Sequence, residues 1–146
     1  MLIQPVRHIS IGISRPFAEA YAFLAEPENF PKWASGLGHS FRHVGGSEWL
    51  AETPMGSMAV RFSERNAFGV LDHTVLAEGG APIHNPMRVL ANGDGAEVVF
   101  SLFQRPGMSD EEFARDADWV ARDLQTLKAC LEGARQMRTA SSPDAC

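Results

Sequence analysis

The residue best placed to do chemistry is His73, in the run Val70-Leu71-Asp72-His73-Thr74-Val75-Leu76-Ala77. A neutral imidazole among apolar side chains can orient a ligand carbonyl or exchange a proton near neutral pH. The run reads as a strand with two possible inner faces, Leu71/His73/Val75 or Val70/Asp72/Thr74/Leu76. The preceding strand, Ser57 to Glu64, carries Met58, Val60 and Phe62 on one side. If that side faces inward, a regular hairpin sets Phe62 opposite His73 and turns the imidazole toward a cavity. The alternative is a core histidine satisfied by a backbone carbonyl. Asp72 cannot be its partner, because successive strand residues point to opposite faces. It is expected instead to pair with Arg61 or Arg88 on the outer face, an ion pair worth ~0.2–1 kcal/mol.

The remaining groups with chemical potential are dispersed. His8, His39, His43 and His84 form neither a helical His-x-x-x-His nor a Cys/His cluster, so no metal site is expected. Ser10, Ser57 and Ser101 lie on strands without a Gly-x-Ser-x-Gly elbow. Gly36, Gly38, Gly45 and Gly46 lack the spacing and strand-to-helix context of a phosphate-cradling loop, and no cofactor is implied. Trp33, Trp49 and Trp119 each put an N–H on a large apolar ring, which suits a ligand wall or a satisfied core position.

Elements that could position these residues follow from periodicity. Ile9, Ile11 and Ile13 alternate with Ser10, Gly12 and Ser14 in a first strand. Pro16 opens a short helix through Phe17, Ala20, Tyr21 and Leu24, and Glu28 to Ala34 reads as a second. From His39 to Arg105, turn signals punctuate six further strands, with Asn92-Gly93 read as a type I′ turn. Gly79 to Pro86 is long for a hairpin loop and could form an adjustable rim. Ser109-Asp110-Glu111-Glu112 is a capping box, after which Phe113, Ala117, Val120, Leu124, Leu127, Leu131 and Ala134 recur at helical spacing. That helix would be about 40 Å long, enough to cross a sheet.

Composition bounds the partners. The chain has 146 residues, 45% of them apolar, and a net charge of −5, which fits one domain and argues against a nucleic-acid footprint. No run approaches the ~18 apolar residues of a membrane span, and no signal-peptide pattern opens the chain. Cys130 and Cys146 make no disulfide framework, so a reducing, cytoplasmic setting is expected. Residues 139–146 are polar and Pro-bearing and read as a disordered tail behind a domain of residues 1–138.

The order of strand, two short helices, six antiparallel strands and long terminal helix resembles the helix-grip fold of the START-like, or SRPBCC, superfamily. Ile9 to Trp33 is similar to the opening strand, helix and Pro-x-x-Phe/Trp segment of that superfamily, and Glu97 to Leu131 to its last strand and helix. The resemblance implies an α+β domain with a curved seven-stranded antiparallel sheet gripping the helix. It further implies a cavity that holds lipids, polyketides or similar molecules, with cyclase or dehydratase activity in some members. Trp33 matches the segment that generally closes the wide end of that cavity.

The expected function is therefore binding of a small hydrophobic ligand between sheet and helix. Ile11, Met58, Val60, Phe62, Val89, Val98, Phe100 and Leu102 are the expected walls, with Tyr21, Trp33, Trp49, His73 and Trp119 contributing to the site. The second reading is a cyclase or dehydratase with His73 as acid/base and Tyr21 or Arg61 as oxyanion partner, which needs two polar groups converging on one ligand atom. A third is a protein contact, such as a homodimer, that buries Trp119.

Overall fold

Alternating isoleucines make β1 (Val6–Ile13), in which Ile11 and Ile13 are buried and Ser10 and Gly12 face outward. The computed structural model describes residues 2–37 and 40–136. Helix α1 (Phe17–Ala25) follows, with Ala20 and Leu24 on its buried side. A 3₁₀ turn (Pro27–Asn29) then leads into the single helical turn α2 (Phe30–Trp33), which buries both of its aromatic ends.

A meander follows: β2 (Ser40–Gly45), β3 (Glu48–Thr53), β4 (Gly56–Phe62), β5 (His73–Ala77), β6 (Ile83–Asn85), β7 (Met87–Asn92) and β8 (Gly95–Phe103). All pairings are antiparallel. The strands form two sheets, of order β1-β8-β7 and β2-β3-β4-β5-β6. This corrects the expected single sheet of seven strands. The extra strand is β6, inside the stretch read as a rim loop, and Pro86 separates it from β7. Proline has no N–H to give a ladder and a fixed φ, so the run bends there. β6 continues the β5 sheet, while β7 joins β8.

The two sheets remain tied by backbone bonds. Leu71 N–H donates to Met87 C=O and Val89 N–H to Gly69 C=O, each at 2.9 Å, so residues 69–71 lie along the free edge of β7. The β7–β8 turn also differs from its expected form. Asn92 pairs with Gly95, which puts Gly93 and Asp94 at the turn centre. Only Gly93 takes positive φ, +57°, so this is not the type I′ turn that needs positive φ at both central residues.

Helix α3 (Asp110–Gln136) starts at the expected capping box. Glu112 N–H donates to Ser109 Oγ at 3.1 Å, and Ser109 N–H donates to Glu112 Oε1 at 3.4 Å. Replacing Ser109 by Ala should cost about 1 kcal/mol in chemical denaturation, with the m-value unchanged. The second half of α3 is clamped to the end of β1: Lys128 Nζ donates to Gly12 C=O at 2.7 Å and Ser14 N–H to Glu132 Oε2 at 2.8 Å. Phe113, Ala117, Leu124, Leu127 and Leu131 are buried against the sheets; Val120 is only half-buried.

Cys130 is buried on the same helix with its Sγ 3.7 Å from Lys32 C=O, and Cys146 lies outside the described residues. Residues 139–146, read as a tail, lie outside the described residues. None of the described helices is long and apolar enough to cross a membrane.

Candidate functional site

Hairpin register decides where His73 points. β4 and β5 pair with Phe62 opposite His73 and Val60 opposite Val75. The inner face is thus Leu71/His73/Val75, and His73 is 5% exposed. Its ring meets Phe30 at 5.3 Å and Phe62 and Phe100 at 6.1 Å between centroids. On the outer face Asp72 pairs with Arg88, one of its two expected partners. Arg61 sits beside Glu48 at 3.9 Å and is mostly exposed, far from the role of oxyanion partner.

His73 Nδ1 lies 3.2 Å from Leu71 C=O. A carbonyl only accepts, so Nδ1 carries the proton and Nε2 keeps its lone pair. Nε2 faces the Asn85 side-chain amide at 3.4 Å, across the β5–β6 ladder that pairs the two residues. Burial holds the imidazole pKa below its ordinary 6.5, while the Leu71 hydrogen bond and the charge of Asp72 pull weakly the other way. His73 is thus both inward-facing and satisfied by a backbone carbonyl, combining the two readings of the sequence.

A pH dependence follows. Below pH 6.5 the unfolded chain takes up a proton at His73 that the folded chain does not. The stability contributed by the neutral ring is full above 6.5 and is lost as pH falls toward the lower folded value. Asp123, discussed below, is raised in the fold and acts in the opposite sense, its contribution lost as pH rises above 3.8 through its folded value. The difference in denaturation free energy between wild type and His73→Gln, in which Asp123 cancels, should therefore shrink as pH is lowered through 6.5.

Two adjoining spaces open between the sheet and the first half of α3. The outer cleft has a volume of about 640 Å³ and is lined chiefly by Met58, Val75, Ile83, Phe100, Leu102 and Val120, with Trp119, Gln4, Arg105 and Asp116 at polar positions. Behind it lies a chamber of about 180 Å³ walled by Phe30, Trp33, Leu37, Met58, Val75 and Phe100, with His73, Asn85, Ser35 and Asp123 as its polar groups. Met58, Val75, Asn85, Phe100 and Val120 border both spaces.

Of the residues expected at a ligand site, Met58, Phe100, Leu102 and Trp119 border the cleft, and Trp33, Met58, His73 and Phe100 the chamber. Phe62 and Tyr21 meet Trp33 and His73 around a separate void of only about 20 Å³. The Tyr21 hydroxyl accepts from Asn66 N–H at 2.8 Å, which anchors the loop before Gly69 rather than forming an oxyanion partner. Val60, Val89 and Val98 are completely packed in the core, and Ile11 is buried with them; all four line neither space. Trp49 stacks on Phe41 at 5.2 Å and packs against His43 across the β2–β3 ladder, also away from both.

Asn85, Ser35 and Asp123 were not anticipated. Ser35, just after α2, donates through Oγ to Asp123 Oδ1 at 2.7 Å and through its N–H at 3.3 Å. Burial raises the Asp123 carboxyl above its ordinary value, against the hydrogen bonds from Ser35 and from Trp119. Asp116, Trp119, Val120 and Asp123 recur at spacings of three, one and three along α3. This second stripe, beside the core stripe, is the sequence signal that could have marked the wall of the cleft. Among the described residues, no three His, Cys, Asp or Glu side chains gather as a metal site would require.

No protein-family model and no curated protein matches the sequence. Solved structures do match in fold. A START superfamily protein from Mycobacterium smegmatis superposes with a TM-score of 0.66 at 8% identity, covering 88% of this chain and 98% of its own. The Aha1 dimer from Colwellia psychrerythraea gives 0.67 at 16% identity, covering 88% of this chain and 96% of its own. A protein of the dynemicin biosynthetic locus, DynU16, gives 0.66 at 10% identity over 97% of this chain. The chain spans about half of that last protein, 49%. The fold is the START-like, or SRPBCC, fold expected from the sequence.

Proposed function

We propose that the protein binds one small, largely apolar molecule in the cleft and chamber between the sheet and the first half of α3. The observation that carries this reading is that the two mostly apolar spaces share Met58, Val75, Asn85, Phe100 and Val120 as lining, so they lie side by side against the same face of the sheet and α3. A recess of this size with sparse, convergent polar atoms is the ordinary form of a small-molecule site. Trp119, 46% exposed, then serves as the rim of the mouth. Titration with the neutral fluorophore N-phenyl-1-naphthylamine tests the proposal. Saturable enhancement with one site per chain is expected, and a linear, unsaturable response would refute it.

A second reading has a specific observation in its favour. His73, Asn85, Ser35 and Asp123 all border the chamber, so more than one polar side chain is available to a bound carbonyl compound. On this reading the chain is a cyclase or dehydratase in which Nε2 of His73 accepts a proton from an activated carbon. Turnover of a poly-β-ketone analogue that is abolished in His73→Gln, with binding of the analogue kept, would support it. Binding without turnover leaves the first reading.

A further inference from the structure

The polar groups of the chamber differ in what they offer a ligand. His73 Nδ1–H is committed to Leu71 C=O, so Nε2 can only accept. Among the described residues its partner is the Asn85 amide at 3.4 Å, a long contact that leaves room for a better donor. Asp123 also accepts, but it is already engaged by the Ser35 N–H and hydroxyl. Among the described residues, the chamber wall includes no Lys or Arg, while it does include the Asp123 carboxyl. An anionic head group would lie beside that carboxyl with no cation to offset it.

Shape narrows the choice further. A cavity of roughly 150 Å³ lined by apolar side chains holds one benzene ring, so the chamber of about 180 Å³ has room for one six-membered ring. Phe30 and Trp33 already meet edge-to-face at 5.2 Å, and with Phe100 they offer ring faces and edges to an aromatic guest. The geometry points to a neutral phenolic ring as the part of the ligand seated in the chamber, its hydroxyl donating to Nε2 of His73 and its apolar remainder lying in the outer cleft. This rests on the binding function proposed above and specifies its ligand. Fatty acids and other carboxylates are disfavoured.

The test uses the full chain and three probes that share one ethyl-substituted ring, titrated calorimetrically: 4-ethylphenol, ethylbenzene and 4-ethylbenzoate. 4-Ethylphenol is expected to bind about tenfold more tightly than ethylbenzene, the worth of one buried hydrogen bond, and 4-ethylbenzoate more weakly than both. In His73→Phe, which keeps a ring and removes the acceptor, the phenol should fall to the level of ethylbenzene. Because that variant leaves Leu71 C=O without its donor and could fail to fold, the wild-type Nε2 nitrogen resonance is followed as well. It should move with 4-ethylphenol and stay with ethylbenzene. Equal affinity for phenol and hydrocarbon, a preference that survives His73→Phe, a silent resonance, or tightest binding of the benzoate would each overturn the inference while leaving apolar binding intact. Failure of all three probes overturns it too. In that case, saturable binding of N-phenyl-1-naphthylamine preserves the broader proposal, and its absence removes both.

Discussion

Gly69→Ala should destabilise the protein by about 3 kcal/mol, a fall in thermal midpoint of about 10 °C. Gly69 is buried at φ +72°, a conformation costing L side chains about 1–2 kcal/mol. A Cβ there would lie 2.2 Å from Val89 C=O and 3.1 Å from the Phe17 ring. The Val89 oxygen is backbone, so the 69–71 segment must leave the edge of β7. Its hydrogen bonds, each worth about 1 kcal/mol net, are then lost. Gly93→Ala is the control, since it also has positive φ but nothing lies within 4 Å of its added carbon. It should cost only the backbone term of about 1–2 kcal/mol. Equal losses for the two variants in urea denaturation would show that steric contact at the sheet junction has no special weight.

Val120→Trp should abolish ligand binding with little loss of stability. Val120 borders both cleft and chamber and is half-buried, so the added indole enters open space instead of a packed core. Overpacking a full core costs about 1–3 kcal/mol, whereas here the change in stability should stay under about 1 kcal/mol. Affinity for N-phenyl-1-naphthylamine should fall at least about a hundredfold, because the substituted ring occupies the ligand volume. A Val120→Trp protein that folds and still binds at wild-type strength would move the site elsewhere.

Much of the architecture was legible because it rests on local periodicity. The isoleucines of β1, the Met58/Val60/Phe62 row and the capping box at Ser109 each pin an element through its own residues. The Phe62–His73 pairing followed from hairpin geometry alone, and it resolved the inner face that the sequence left open. The split into two sheets was missed because Gly79 to Pro86 mixes loop-like residues with Ile83 and Asn85, which find their ladder only once β5 is in place. The site was less legible for the same reason. Ser35 and Asp123 are separated by 88 residues and meet only when α2 packs on α3. Alternation marks Val60, Val89 and Val98 as inward-facing but cannot tell a wall that meets a ligand from one that meets another side chain. The packing of α1 on β7 and of the sheet centre settles that difference.

The central claim is that the recess holds a small apolar molecule. Native mass spectrometry tests it most directly, on the chain incubated with a mixed extract of lipids and aromatic metabolites, beside wild type that has been denatured and beside Val120→Trp. The account predicts a protein ion carrying one additional small mass, lost on unfolding and missing from the variant. The chain's own mass of 15.9 kDa alone in the wild-type spectrum, or an adduct that Val120→Trp retains, would contradict it.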